Sequence, residues 1–166
     1  MRLTRFTDNA LRALIYLAHR PDDVTTVGEV ARKMGMSEDH LLKVVQRLSQ
    51  LGYVRTIRGR NGGMRLARAA DAIVVGDVVR QTEDNLQLVP CFEPNHDGCP
   101  ITAACGLVPA LEEALQAFLR TLDRYTVAEL LSDRCDVSAL IQLTPPDRAP
   151  LARDAVVGPP EKSGDP

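Results

Sequence analysis

Through the first half of the chain the apolar positions recur three and four residues apart, a helical rhythm that polar punctuation cuts into short pieces. Leu11, Leu14, Ile15 and Ala18 form the first stripe. The spacing predicts a helix opening at Phe6-Thr7-Asp8, with Thr7 as N-cap, Phe6 stapled onto Leu11, and Asp8 in the first turn where the helix dipole favours an anion. Pro21-Asp22-Asp23 ends it. Thr26 and Glu29 read as a capping box for a short second helix through Met34, which Gly35 stops. Ser37 then reads as the N-cap of a third helix, with a buried stripe of Leu41, Val45, Leu48 and Leu51 and a stop at Gly52. Two helices joined by so tight a turn predict a helix-turn-helix.

Next the rhythm changes. In "YVRTIRGRNGGMRLAR" apolar and basic residues alternate on either side of a glycine-rich centre, and the Asn61-Gly62 pair signals a β-hairpin. A hairpin directly after a helix-turn-helix is a wing. Residues 1–83 therefore read as a winged-helix domain, closed by an apolar segment at Ile73 to Val75 and a helix over 76–83. Residues 84–105 lack periodicity and hold Pro90, Pro94, Gly98 and Pro100, so they read as a loop. Helical spacing returns in Leu107, Leu111, Ala114, Leu115, Phe118 and Leu122, leaving Glu112, Glu113, Gln116 and Arg120 for water. No helix of matching length exists to cover this stripe. A homodimer seam is the simplest way to bury it, and packing across its own winged helix is the alternative. Thr126 is expected to cap a last short helix through Leu131, completing a unit over 106–133. Residues 134–166 are expected to be disordered, since the chain from 144 on holds six of the eleven prolines and little to bury. The fold class expected is mainly α with a small β-wing: a winged helix-turn-helix domain plus a long C-terminal dimerisation helix.

Composition narrows the class. The 166 residues suit one ordinary domain, 45% hydrophobic and 25% charged, and with 4% aromatics and no Trp the core must be aliphatic. The N-terminus interrupts its apolar positions with Thr, Asp, Asn and Arg, unlike a signal peptide, and no apolar run approaches the roughly 20 residues of a membrane span. The expectation is a cytoplasmic protein without a membrane partner. Net charge is only −2, yet from Lys43 to Arg68 there are seven basic residues (Lys43, Arg47, Arg55, Arg58, Arg60, Arg65 and Arg68) and no acidic one. An ordinary solvated face mixes both signs, so the block predicts a polyanion partner, double-stranded DNA for a winged helix.

In a helix-turn-helix the second helix enters the major groove. With the stripe above buried, Asp39, Lys43, Gln46, Arg47 and Gln50 face outward. Lys43 and Arg47 suit guanine or phosphate and Gln46 suits adenine. Ser37 and His40 complete the expected contact set on this helix. Glu38 and Asp39 at its start complement the dipole. At the wing tip, Arg58, Arg60 and Asn61 are the expected contacts, beside Gly59, Gly62 and Gly63, which would let the backbone approach a narrow minor groove.

The remaining chemistry is in the loop. Cys91, Cys99 and Cys105 are three of the four cysteines. A reducing compartment moves such a cluster away from disulfides and toward metal or redox chemistry, and thiolates favour soft metals and iron-sulfur clusters. Seven residues separate the first two and five the last two, spacings that fit a zinc knuckle poorly. A fourth ligand is needed: His96, Cys135, a small molecule or a distant carboxylate. No catalytic pair or second cofactor motif stands out, so no enzyme is expected.

The segment "HLLKVVQRLSQLGYVRTIRGRNGGMRLAR", with three cysteines and a long helix after it, resembles the winged-helix iron-sulfur regulators, a family that includes NsrR, IscR and RirA. "LTRFTDNALRALIYLA", "RGRNGG", "CPITAACGL" and "ALQAFLRTLDRYTVAEL" carry the resemblance, which covers about residues 1–132. The cysteine region and the helices after it point to the nitric-oxide-sensing NsrR type, because the histidine that the IscR type places just beyond its third cysteine is missing from Gly106-Leu107-Val108. The resemblance implies a homodimeric repressor with one iron-sulfur cluster per subunit, 4Fe-4S favoured over 2Fe-2S. It implies Cys91, Cys99 and Cys105 as ligands, with Asp8 of the partner subunit as the fourth. It also implies nitric oxide as the signal, nitrosylation of the cluster releasing operator DNA. From the residues alone, Asp8 is equally placed to complement the helix dipole and to pair with Arg12. A sensor of iron or cluster status on the same scaffold is the nearest alternative, and an electron carrier or a zinc-stabilised DNA-binding protein lies further off.

Overall fold

The computed structural model describes residues 2–60, 62–92, 99–101 and 104–131. The expected order of elements holds: α1 (Arg5–Ala18), α2 (Val27–Met34), α3 (Glu38–Gln50), β1 (Val54–Ile57), β2 (Gly63–Leu66), α4 (Val75–Thr82) and α5 (Leu107–Leu122). Short 3₁₀ turns lie at Ala70–Ala72, Pro90–Phe92 and Glu129–Leu131. The tail expected to be disordered lies outside the described residues, as do His96 and Cys135.

Local signals set most boundaries. Thr26 caps α2 by accepting from the Glu29 N–H at 3.2 Å, and Gly35 ends it at φ +63°. The box is only half closed, because the Glu29 carboxylate accepts from the Tyr16 hydroxyl at 2.9 Å instead and joins α2 to α1. α1 begins earlier than its pattern suggested. Thr4, not Thr7, is the N-cap, accepting from the Thr7 N–H at 3.2 Å. Phe6 consequently lies inside the helix and is no staple. Thr7 is fully buried, its hydroxyl 3.0 Å from that of Thr82 in α4. A threonine at either position satisfies the capping rule, and burial against α4 decides between them.

One aliphatic core holds α1 to α4 together, built from Leu14 and Leu17 of α1, Val30 of α2, Leu41, Val44 and Leu48 of α3, Met64 of β2 and Val78 of α4. The buried stripe of α3 shifts slightly from expectation: Val44 joins it and Leu51 is only half-buried. β1 and β2 pair antiparallel, Val54 opposite Leu66 and Ile57 opposite Gly63. Met64 also exchanges backbone hydrogen bonds with Thr25 (3.0 and 2.8 Å), which anchors the wing to the α1–α2 connection.

After α5 the chain runs back onto the winged-helix domain. Val75 N–H donates to the Tyr125 carbonyl and Val127 N–H to the Ile73 carbonyl, both at 2.9 Å, and Val127 enters the shared core. The last helix expected through Leu131 is a single 3₁₀ turn, closed by a full capping box in which Glu129 accepts from the Thr126 N–H at 2.7 Å. α5 packs against α4 through Leu119, a residue outside the expected stripe and the one buried position of the helix, while every member of the stripe itself is exposed or half-buried.

Candidate nucleic-acid interface and cysteine loop

α3 divides cleanly by burial. Leu41, Val44, Val45 and Leu48 face the core, while His40, Lys43, Gln46 and Arg47 are exposed on the opposite side, with Ser37 exposed at the N-cap. Ser37 occupies that position without a side-chain capping bond. Arg47 differs from its neighbours: its guanidinium donates to the Gln81 carbonyl in the last turn of α4 at 3.2 Å.

The wing carries Arg58 and Arg60 exposed at its tip, and Asn61 lies outside the described residues. The hairpin is present, and among the described residues of its turn the positive φ is at Gly59 (+117°) and not at Gly62. Gly62 and Gly63 are each required by space within the chain. A Cβ on Gly62 would lie 2.5 Å from the Ile57 carbonyl oxygen, and one on Gly63 would lie 2.6 Å from that of Thr25.

The basic block thus splits by role. Arg68 donates to the carbonyls of Gly52 (3.0 Å) and Leu51 (3.1 Å) and lies 4.7 Å from the centre of the Tyr53 ring, so it closes the end of α3. Burial raises the Tyr53 hydroxyl pKa, with Asp77 adding to the effect. Lys43, Arg58 and Arg60 stand on the exposed surface.

In the cysteine segment, the backbone of Cys91 lies in the 3₁₀ turn Pro90–Phe92. Cys99 is exposed, and Cys105 is half-buried immediately before Gly106, the N-cap of α5. Thiols such as those of Cys99 and Cys105, which precede α5 in the chain, are donors of the kind a soft metal or iron-sulfur cluster takes. Asp8 is on the exposed side of α1, 3.6 Å from Arg12. Among the described residues, no three His, Cys, Asp or Glu side chains converge, so Asp8, Cys99 and Cys105 do not meet within one chain. A carboxylate arriving from a second copy is compatible with that separation.

The base of the loop is tied to α1 by contacts that no motif signalled. The Glu83 carboxylate accepts from the Thr4 N–H at 2.8 Å and from the Thr4 hydroxyl at 3.1 Å. One turn earlier in α4, Arg80 makes paired hydrogen bonds to Asp123 at 2.6 and 2.7 Å. These bonds hold the Asp123 carboxyl below, and the Arg80 guanidinium above, their usual ranges.

Comparison with known proteins gives a consistent answer. The profile of the Rrf2 family, described as an iron-dependent transcriptional regulator, matches residues 3–133. The HTH-type transcriptional regulator NsrR of Geobacillus kaustophilus is 49% identical over 143 residues, 86% of this chain and 97% of that protein. NsrR of Bacillus subtilis is 45% identical over 144 residues, 86% of this chain and 99% of its own. The solved structure of T. potens IscR superposes with a TM-score of 0.66 over 82% of this chain and 90% of that one; at 23% identity this is a likeness of fold.

Proposed function

Because the chain belongs to the Rrf2 family of transcriptional regulators, and not to a family of enzymes, we propose that it is a homodimeric operator-binding repressor that senses nitric oxide through an iron-sulfur cluster. The observation that carries the DNA-binding part is the row of exposed Ser37, His40, Lys43 and Gln46 above a fully buried opposite face, in a chain whose wing exposes Arg58 and Arg60. The helix row suits base edges in a major groove, and the wing arginines, with Asn61, suit the adjacent backbone or minor groove. Such a regulator works where the DNA is, in the cytoplasm, and among the described residues no helix is long and apolar enough to cross a membrane.

Cys91, Cys99 and Cys105 would hold the cluster, 4Fe-4S in preference to 2Fe-2S, and Asp8 of the partner subunit would supply the fourth donor. When bound, the cluster supplies iron that reacts with nitric oxide. The chain's own contribution is mechanical. Glu83 fixes the base of the loop to the start of α1 in its own subunit, and Asp8 would tie α1 to the loop of the other subunit. α1 packs on α3, so release of Asp8 alters how the two recognition helices are held relative to each other. The second copy would cover the α5 stripe, where Leu107 is exposed and Leu111, Leu115, Phe118 and Leu122 are only half-buried.

The test is anaerobic purification with iron and sulfide counts, then titration with nitric oxide while operator binding is tracked by fluorescence anisotropy. Binding should fall at nitric oxide additions comparable to the cluster content, and Cys99→Ala protein should contain little iron. Iron-free material, or operator binding indifferent to nitric oxide, would overturn the reading. The family description as iron-dependent favours one competitor, a sensor of iron supply. That protein would release DNA on iron chelation and keep it when nitric oxide is added.

A further inference from the structure

α3 packs on α1, α2 and β1 and has little direct packing on α4. Its direct polar tie to α4 is the hydrogen bond from Arg47 to the Gln81 carbonyl at 3.2 Å. Carbonyls in the last turn of a helix lack intrahelical partners, and the negative end of the helix dipole attracts a cation, so the guanidinium is well suited to this position. The residue before Gln81 is Arg80, which grips Asp123 at the end of α5 with two parallel bonds and lies 3.5 Å from Asp77. Gly76 makes room for this grip, since a Cβ there would fall 1.9 Å from Asp123 Oδ1. Backbone bonds from Val75 to the Tyr125 carbonyl and from Val127 to the Ile73 carbonyl join the start of α4 to the segment just after α5, so α4 and the end of α5 form one body.

We propose that Asp123, Arg80, the Gln81 carbonyl and Arg47 form a polar relay that sets the recognition helix relative to α5, and that Arg47 is a positioning residue rather than a DNA contact. This rests on the DNA-binding reading above. Because α5 and α4 are joined, a shift of that joined unit against the rest of the winged-helix domain would reach α3 where Arg47 holds the Gln81 carbonyl. The DNA-facing surface of α3 is then left to Ser37, His40, Lys43 and Gln46, and Arg47 adjusts how that surface is presented.

Salt dependence separates the two roles, because a phosphate contact contributes to the slope of log affinity against log salt and a positioning residue does not. Operator affinity would be measured over a salt series for wild type, Arg47→Ala, Asp123→Asn and Arg47→Ala/Asp123→Asn, with Arg60→Ala as the phosphate-type reference and melting curves for each. Arg47→Ala and Asp123→Asn should each weaken binding about three- to tenfold at unchanged slope. The double variant should be no weaker than the weaker single one, and Arg60→Ala should reduce the slope by about 0.9. Arg80→Gln repeats the test from the other partner of the ion pair and should match Asp123→Asn. A slope that falls in Arg47→Ala as it does in Arg60→Ala would overturn the relay, as would full affinity in both Asp123→Asn and Arg80→Gln. Absence of salt-dependent operator binding in wild type would sink the DNA-binding reading itself and the relay with it, and is recognised because Arg60→Ala then changes nothing either.

Discussion

The Asp8 carboxylate lies 3.6 Å from the Arg12 guanidinium one turn further along α1, and Arg12 also donates to the Met34 carbonyl at the end of α2. Arg12 is therefore held in place by α2, while the Asp8 carboxylate is held, among the described residues, by Arg12 alone. With 57% of its side chain exposed, Asp8 belongs to a class of ion pair worth about 0.2–1 kcal/mol, so drawing it toward another ligand costs little. Asp8→Ala should leave thermal stability within about 1 kcal/mol of wild type and yet speed the loss of iron and visible absorbance from the loaded dimer. Iron retention equal to wild type would remove Asp8 from the ligand set.

Gly63→Ala should cost about 1–3 kcal/mol, because the added methyl meets the rigid Thr25 backbone at 2.6 Å rather than a movable side-chain tip. It should also loosen the wing and weaken operator binding. Gly35→Ala makes a useful contrast: nothing lies within 4 Å of its Cβ, and its cost, about 1–2 kcal/mol, comes only from the left-handed backbone at φ +63°. Urea unfolding, paired with operator binding, checks both. Gly63→Ala protein as stable as wild type would mean that the Thr25–Met64 bridge does not fix the wing.

Arginines of one basic block should respond in opposite ways. Arg60→Ala, at an exposed wing tip, should change stability by less than about 0.5 kcal/mol and lower the salt slope of operator binding by about 0.9. Arg68→Ala removes two bonds to the end of α3 and the stacking on Tyr53, and should cost about 1–2 kcal/mol with the salt slope unchanged. Calorimetry beside a salt series would reveal any exchange of these outcomes.

Acid should weaken the junction between α4 and the C-terminal segment. Asp123 is held below the usual carboxylate range by hydrogen bonds from Arg80, and Glu129 by bonds from the Thr126 N–H and hydroxyl. A carboxyl whose folded pKa is lowered adds stability above its unfolded value, and that contribution disappears as the pH falls through the folded value. The melting temperature should therefore decline below about pH 4 and be insensitive to these groups from pH 6 to 8. Asp123→Asn should melt lower at neutral pH and show a shallower acid decline. Parallel curves for variant and wild type from pH 3 to 7 would refute the assignment.

Recognition of the elements needed only short stretches of chain. The Gly35 and Gly52 stops, the Thr26 cap, the hairpin and the length of α5 all come from helical or alternating period and from residues that satisfy or terminate backbone hydrogen bonds nearby. Those preferences act over a few residues, so they can be read from a few residues. The gathering of cysteines just ahead of α5 was visible in the same way.

What tertiary structure decided was the use of each side chain. Thr4 and Thr7 are equivalent to a capping rule until Thr82, 75 residues from Thr7, draws one of them into the core. That Gly62 and Gly63 must be glycine shows only in the fold, where a Cβ at either position would meet the carbonyl of Ile57 or Thr25. Arg47, Arg68 and Arg60 contribute equally to a charge count, yet only the folded chain brings the Gln81 carbonyl to the first and the Leu51 and Gly52 carbonyls to the second, and leaves the third in water. The Arg80–Asp123 pair, 43 residues apart, has no local signature, because its energy arises only after packing has brought α4 and α5 together. Period and capping state where a helix lies; which of its polar groups are spent inside the molecule depends on neighbours that sequence distance hides.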